Sequence, residues 1–582
     1  DGAVEAFPAN PADPEDTSLQ DALSDFFAAP PPNGCQGLSG DTAIQCVATA
    51  FTGPQAFGSL LPTPVGAEPS ASLDSAQDAL QVSAVLSQMV SGPGEVSIVQ
   101  GDVTIPYYLG LPNGTDGSSL QTASWSADAG LAQALNSSFA DLGLQIPQAD
   151  PAVSSVVNHV FPFPEKTEDL TIPMLVIFPS DAPLDGSLPL VIYQHGITAD
   201  RSAALTFGSA LAESANVAVV AIDQVLHGVT PVSTQGKLES AGRLLAASDP
   251  ALNTEQNRQA VVAGQFSVGA LLQTQAAGCP LGLSDPPTAE EIAVASQAVL
   301  AGDCGPEASA NLVSALSLES SVANAGSTVP GLPMTDVERH FKFTADAMNQ
   351  PVPMVLEQQA TSAEQVGEGG SGSLFINLTN FINTRDNNRQ SAVDLMNLRA
   401  SLAKLDMDGN GEADFDYSQV YFVGHSLGTV VGAPFVSAVN QNQINFGPGT
   451  AKTSDDLVAA NLLAPGAGVV RMLENSPTFA PGILEGLAGV AGITQSDEEL
   501  EAFFNTFQAA FDTVDPMNFA DNLKAQGTPL LLSTVVGDTT IPNNAYPEGL
   551  GEALPDPLAG SDPFARLLMA GQTPNETGLM PV

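Results

Sequence analysis

The stretch YFVGHSLGTVVGAP (421–434) holds a serine between two glycines, Gly424-His425-Ser426-Leu427-Gly428. In a chain with 53 glycines such a pentapeptide arises by chance about 0.4 times, so the spacing alone decides little. Its flanks decide more. QVYFV is a buried-strand sequence entering the first glycine, and TVVGAPFVSAV can open a helix after the second. Strand, sharp turn and helix lift a serine Oγ clear of the backbone and set a helix N-terminus beside it, as a nucleophile requires. Asp538, ending LLLSTVVGD, is the candidate acid; a carboxylate there can fix a histidine tautomer and stabilise the imidazolium. Asp515 is its rival, but Pro516 and Asn518 make it read as a turn and helix cap. LVIYQHGIT (190–198) ends another strand in His-Gly. The backbone N–H groups of Ile197 and Leu427 would then hold a tetrahedral oxyanion.

A serine nucleophile needs a base, and the five histidines, His159, His195, His227, His340 and His425, all precede Asp538. His195 is expected to hydrogen-bond its own loop. His425 is expected to turn away from Oγ into the sheet packing. His159, His227 and His340 could approach, because triads are set by geometry and not by order. The leading expectation is a histidine beyond Val582, where a further strand and loop would follow Asp538.

Residues 406–417 read DMDGNGEADFDY. Asp406, Asp408, Asn410 and Asp414 occupy oxygen-donor positions of an EF-hand-type loop, Gly411 permits its bend, and Glu412 would offer its carbonyl. Tyr417 stands where the closing bidentate glutamate belongs, with Asp416 one residue earlier to compensate. The expected cofactor is therefore a structural Ca2+. No histidine–carboxylate cluster suggests a catalytic metal, and no organic cofactor is expected.

These groups need a scaffold. LTIPMLVIF (170–178), LPLVIYQHG (188–196), NVAVVAID (216–223), SQVYFVGHS (418–426) and TPLLLSTVVGD (528–538) are apolar, Val/Ile/Leu-rich runs with helical spacing between them. That pattern predicts an α/β fold, a mostly parallel sheet between helix layers. Almost 200 residues separate the third run from the Ser426 strand, far more than a crossover needs. The expected division is an acidic, Pro-rich segment at 1–34, a mixed N-terminal module at 35–165, an α/β core at 166–229 and 381–582, and a helical cap or lid at 230–380.

With 15 Lys+Arg against 64 Asp+Glu the net charge is −49. Such a field repels nucleic acid and anionic lipid surfaces, which excludes nucleic-acid binding, and it suits a secreted protein in a saline habitat. Two local cysteine pairs, Cys35/Cys46 and Cys279/Cys304, read as disulfides of an exported chain. An opening Asp1 without Met reads as a processed end.

VTIPYYLGLP, HVFPFPEKTEDLTIPMLVIFPSD, YQHGITADRSA, RDNNRQSAVDL, DMDGNGEADFD and VYFVGHSLGTVVGAPF together resemble the bacterial virulence-factor lipase family, the group of VolA-type lysophospholipases with an N-terminal lipase module ahead of an α/β-hydrolase. The resemblance runs from about residue 75 to 570. It implies a secreted or outer-membrane-surface carboxylic ester hydrolase acting on lipidic esters, with Ser426 as nucleophile and Asp538 as acid, and membrane association that is peripheral or through a lipid anchor. Two other functions fit the same residues: a non-catalytic binding protein that keeps the elbow without its base, and a polyester hydrolase.

Overall fold

The apolar runs form strands because both of their faces are covered. The computed structural model describes residues 96–569, apart from 139–144, 159–160, 347, 357–369, 441–456, 496 and 546–558. The strands are β1 (Val96–Tyr107), β2 (Glu168–Pro179), β3 (Leu188–Gln194), β4 (Ala218–Ile222), a small ribbon of β5 (Phe343–Ala345) and β6 (Pro351–Pro353), β7 (Phe415–His425), β8 (Ala459–Leu463) and β9 (Leu530–Ser533). Seven of them make one sheet in the order β1-β2-β4-β3-β7-β8-β9. Pairing is parallel from β4 through β3, β7 and β8 to β9, while β2 runs antiparallel to both β1 and β4.

The period-two rule then sorts the core. Leu190, Ile192, Val220, Phe422 and Leu462 face one helix layer, whereas Val191, Tyr193, Val219 and Val423 face the other. Ahead of the sheet's middle strands lies α1 (Ala129–Ser138); α2 (Ala204–Ala215) covers the second face. Five helices follow β4: α3 (Thr234–Ser248), α4 (Glu255–Val262), α5 (Phe266–Ala276), α6 (Ala289–Leu300) and α7 (Pro306–Ala323). The first face is covered by α8 (Phe381–Ser401) and by α9 (Leu427–Val439), whose apolar surface is buried almost all round. After β8 come α10 (Val469–Glu474), α11 (Ala480–Ala491), α12 (Glu498–Phe511) and α13 (Ala520–Gln526), and after β9 α14 (Ser561–Met569).

Three features differ from the expected division. Residues 96–107, assigned to an N-terminal module, pair with β2 along their whole length as the edge strand of the main sheet. Their junction is sealed by α8, a helix whose buried polar side chains bond foreign backbone: Gln390 to Tyr108 N and Pro106 O, Asn383 to Leu120 O and Ala123 O, Asn397 to Thr104 O. Buried amides so satisfied fix one arrangement, because any shift would strand them. The insertion is also shorter than 230–380. α3–α7 pack chiefly on one another, and the chain rejoins the core near Gly326, which lies against Thr230. Glu338, Arg339 and His340 are then buried within the core. Within the insertion Cys279 and Cys304 form the expected disulfide, with Cα atoms 5.7 Å apart. Finally, β8 has no counterpart among the expected strands. Cys35, Cys46 and residues 1–34 lie outside the described residues.

Candidate active site

Parallel strands deliver their C-terminal ends to one edge of the sheet, and the predicted groups gather there. β7 ends at His425 and α9 starts at Leu427, so Ser426 is the whole of the turn. It has φ 52° and ψ −117°, a left-handed conformation that costs a non-glycine residue about 1–3 kcal/mol. Its N–H donates to Leu463 O at 2.9 Å and its carbonyl accepts from Thr429, tying the turn to β8 and α9. The motif glycines are steric requirements. A Cβ on Gly424 would meet Gly428 O at 2.5 Å, and one on Gly428 would collide with Gln194 O. The spacing is therefore dictated by how closely β7, α9 and β3 approach.

Gly196, at the end of β3, lies directly against the serine: a Cβ there would be 3.1 Å from Ser426 Cβ and 3.6 Å from its Oγ. This juxtaposition brings the start of the 196–199 loop beside the hydroxyl, and Leu427, at the N-terminus of α9, follows the serine directly. N-terminal helix amides lack intrahelical partners and favour negative charge. Ile197 and Leu427 both join the apolar cluster that also contains Phe375, Val430, Val469, Met472 and Phe504. Helices α10–α12 add Val470, Leu473, Leu487, Leu500, Phe507 and Phe511 to it. Within the expected lid at 230–380, Phe343, Leu374 and Phe375 join this cluster, whereas helices α3–α7 do not.

Sequence reasoning missed what holds the 196–203 loop. Thr198 sits at φ 62° and Asp200 caps the turn, accepting from Ser202 N, Thr328 N and Thr328 Oγ1. Arg201, fully buried, ion-pairs with Asp223 at 2.6 Å and Glu338 at 2.9 Å and donates to Gln100. These carboxylates hold its guanidinium well above its usual pKa despite burial. Ser371 Oγ donates to Ala199 O and accepts from Gly228 N. Only the buried setting of Arg201 and Glu338 explains their presence, and burial is not visible in ADRSA or DVERH.

The histidines divide clearly. His195 donates from Nδ1 to Gly196 O at 2.8 Å and accepts at Nε2 from Gln224 N at 3.1 Å, so both nitrogens are engaged on the loop, as expected. Burial lowers its pKa, with Asp223 opposing. His340 is likewise engaged, Nε2 to Val229 O and Nδ1 from Lys342 N. His227 donates to Val225 O, and its Nε2 is closed in against Gly372; burial, then the neighbouring His195, hold its pKa well down. His425 corrects an expectation. Its side chain is exposed at the C-terminal edge of the sheet and is not in the sheet packing, because β7 ends there. Desolvation lowers its pKa and the charge of Asp538 raises it, which puts that carboxylate in its neighbourhood. His159 lies outside the described residues.

Asp538 stands in a turn five residues past β9, not at the strand's last residue. Its Oδ1 accepts from Thr540 N at 2.8 Å and Ile541 N at 3.0 Å. Oδ2 makes no hydrogen bond among the described residues. Ser476 Oγ donates to Thr539 and Thr540 carbonyls and fixes this turn to the α10–α11 junction. Asp515 is a cap: it is buried and accepts from Gly468, Val469 and Met517 amides and from Gln508.

At the opposite end of β7, carboxylate oxygens of Asp406, Asp408 and Asp414 come within 4.8 Å of one another. Asn410 bonds Asp408, and the Glu412 amide donates to Asn410 Oδ1. Asp416 does not join them: its two oxygens are taken by Ser418 and Gln419. Comparison with protein-family models and with curated proteins found no match.

Proposed function

We propose that the protein is a serine carboxylic ester hydrolase of the α/β-hydrolase type, acting on lipidic esters through an acyl-enzyme on Ser426. The observation that carries this reading is the conformation of Ser426. It is a strained single-residue turn between a parallel strand and a helix N-terminus, packed against Gly196. Strain of this kind persists where surrounding structure enforces it, and an elbow is a functional use for it. Ser426 Oγ attacks the ester carbonyl carbon while its proton passes to a histidine. The N–H groups of Leu427 and Ile197 receive the oxyanion. Collapse expels the alcohol, which takes the proton from the imidazolium, and water then releases the acid by the reverse sequence. Asp538 orients that histidine through Oδ2. The base is a histidine other than His195, His227 and His340, whose nitrogens are committed or enclosed.

Apolar side chains packed beside Leu427 and Ile197, several of them from α10–α12, support an acyl or similarly greasy substrate over a polar one. Secretion or an outer-membrane-surface location is part of the same proposal, supported by the acidic composition. Among the described residues no helix is long and apolar enough to cross a membrane. The commitment of three histidines to backbone bonds favours one alternative, a binding protein that keeps the elbow without turnover. Hydrolysis of p-nitrophenyl acyl esters separates the two. The hydrolase reading expects turnover that Ser426→Ala abolishes; absence of turnover in the folded full chain, with retained acyl-ligand binding, selects the binding protein.

A further inference from the structure

The loop before β7 carries an assignment that does not depend on the hydrolase reading. Three carboxylates drawn together repel one another, and a fold keeps such a group only if something offsets the repulsion. Around Asp406 part of the offset is local: its oxygens accept from the amides of Gly409, Asn410 and Gly411. Asp414 is different. It is 0% exposed, its Oδ2 accepts from Met407 N, and its Oδ1 is buried with no hydrogen-bond partner among the described residues. A buried carboxylate oxygen without a partner is costly, and the Asp414 carboxylate belongs to the cluster that converges within 4.8 Å.

We propose that Asp406, Asp408 and Asp414, with the Asn410 side-chain oxygen and the Glu412 carbonyl, bind one calcium ion. All the donors are hard oxygens, and no histidine or cysteine joins the cluster among the described residues, which selects an alkaline-earth ion over a transition metal. An irregular set closing without a bidentate carboxylate suits calcium, which tolerates six to eight ligands with water among them; magnesium demands a near-ideal octahedron. Tyr417 at the closing position and the commitment of Asp416 to Ser418 and Gln419 place the affinity in the weak class of about 10⁻⁴–10⁻³ M typical of extracellular modules.

The ion's role follows from position. Asp414 N donates to Leu405 O, which closes the loop, and Asp414 O accepts from Gly186 N in the β2–β3 connection. Phe415 pairs with Leu188 immediately afterwards. The metal therefore braces the starts of β3 and β7, the two strands whose far ends carry Gly196 and Ser426. Counted along β3 from Leu188, which pairs with Phe415, to Gly196 at about 3.3 Å per residue, it lies roughly 25–30 Å from the hydroxyl and takes no part in chemistry there.

The test is thermal unfolding and calcium binding of the full chain after chelation, with calcium or magnesium chloride restored at 10–100 times the expected Kd. Calcium should raise Tm by about 1–2 °C beyond equal magnesium, and equilibrium dialysis should find one bound calcium. Asp408→Asn, on an exposed residue that does not threaten folding, should lose both effects, and Asp416→Asn should keep both. Equal shifts with the two cations, or an undiminished calcium shift in Asp408→Asn, would mean general screening of a −49 charge and would overturn the site.

Discussion

Replacing Ser426 with glycine and, separately, with alanine tests the elbow by the sign of one difference. Both variants delete the hydroxyl and both abolish turnover on the proposed mechanism. They differ only in backbone freedom. At an ordinary position glycine is less stable than alanine by about 0.5–1 kcal/mol, because it loses more chain entropy on folding. At φ 52°, ψ −117° alanine retains a strain of about 1–3 kcal/mol that glycine does not feel. Subtracting the glycine penalty leaves Ser426→Gly more stable than Ser426→Ala by about 0.5–2 kcal/mol. At about 2.1 cal/mol/K of unfolding entropy per residue, a chain of 582 residues turns that into a Tm difference of about 0.4–1.6 °C. Differential scanning calorimetry of the two variants in one buffer reads it directly. A glycine variant that melts below the alanine variant would refute the strained elbow, and with it the physical basis for reading Ser426 as a nucleophile.

Other outcomes follow from the same geometry. Arg201→Met leaves Asp223 and Glu338 buried without their partner, so denaturant unfolding should show a loss of about 3–5 kcal/mol; a loss under 1 kcal/mol would mean the network does not brace the loop. Asp538→Asn should lower kcat by about 10⁴-fold while KM for a p-nitrophenyl ester stays nearly constant, because the asparagine holds the wrong histidine tautomer; an unchanged kcat would remove Asp538 from the site. Acid should destabilise the fold through its buried histidines. The folded pKa of His227 lies well below the unfolded value because of burial and the adjacent His195. Its contribution is thus complete above about pH 6.5 and is lost as pH falls toward the folded value, with a slope of up to about 1.4 kcal/mol per unit. His227→Phe should flatten the stability profile between pH 6.5 and 5 by that amount, as read from denaturant midpoints at each pH.

The sequence carried the sheet's centre well, because the stretches covered on both faces are continuous apolar runs: 172–178 of β2, 188–193 of β3, Ala218–Ile222 of β4 and 420–423 of β7. β8 escaped notice: AANLL is five residues long, has an asparagine at its centre and buries only alternate side chains, so its hydrophobic signal is weak. β1 was recognisable as a strand but not as part of this sheet, since its membership rests on a ladder with β2, which lies beyond the intervening α1 segment in sequence, and on α8 amides that bond backbone more than 260 residues away. Among site residues, Ser426, Leu427 and Ile197 were legible through turn chemistry. The importance of Gly196 was not, because it depends on how closely β3 approaches β7. The insertion illustrates the same limit: its helical spacing was visible, but which helices flank Ser426 is a matter of packing, and the cluster there draws on α10–α12. Asp416 shows it at the metal loop, where a carboxylate in sequence reach of the site is captured by Ser418 and Gln419.

The most direct test of the central claim is covalent. Incubating the folded full chain with a fluorophosphonate and mapping the adduct by peptide mass spectrometry should place a single modification on Ser426, absent from the Ser426→Ala variant. Labelling that survives in Ser426→Ala, or a folded wild-type chain left unmodified at Ser426, would contradict the account.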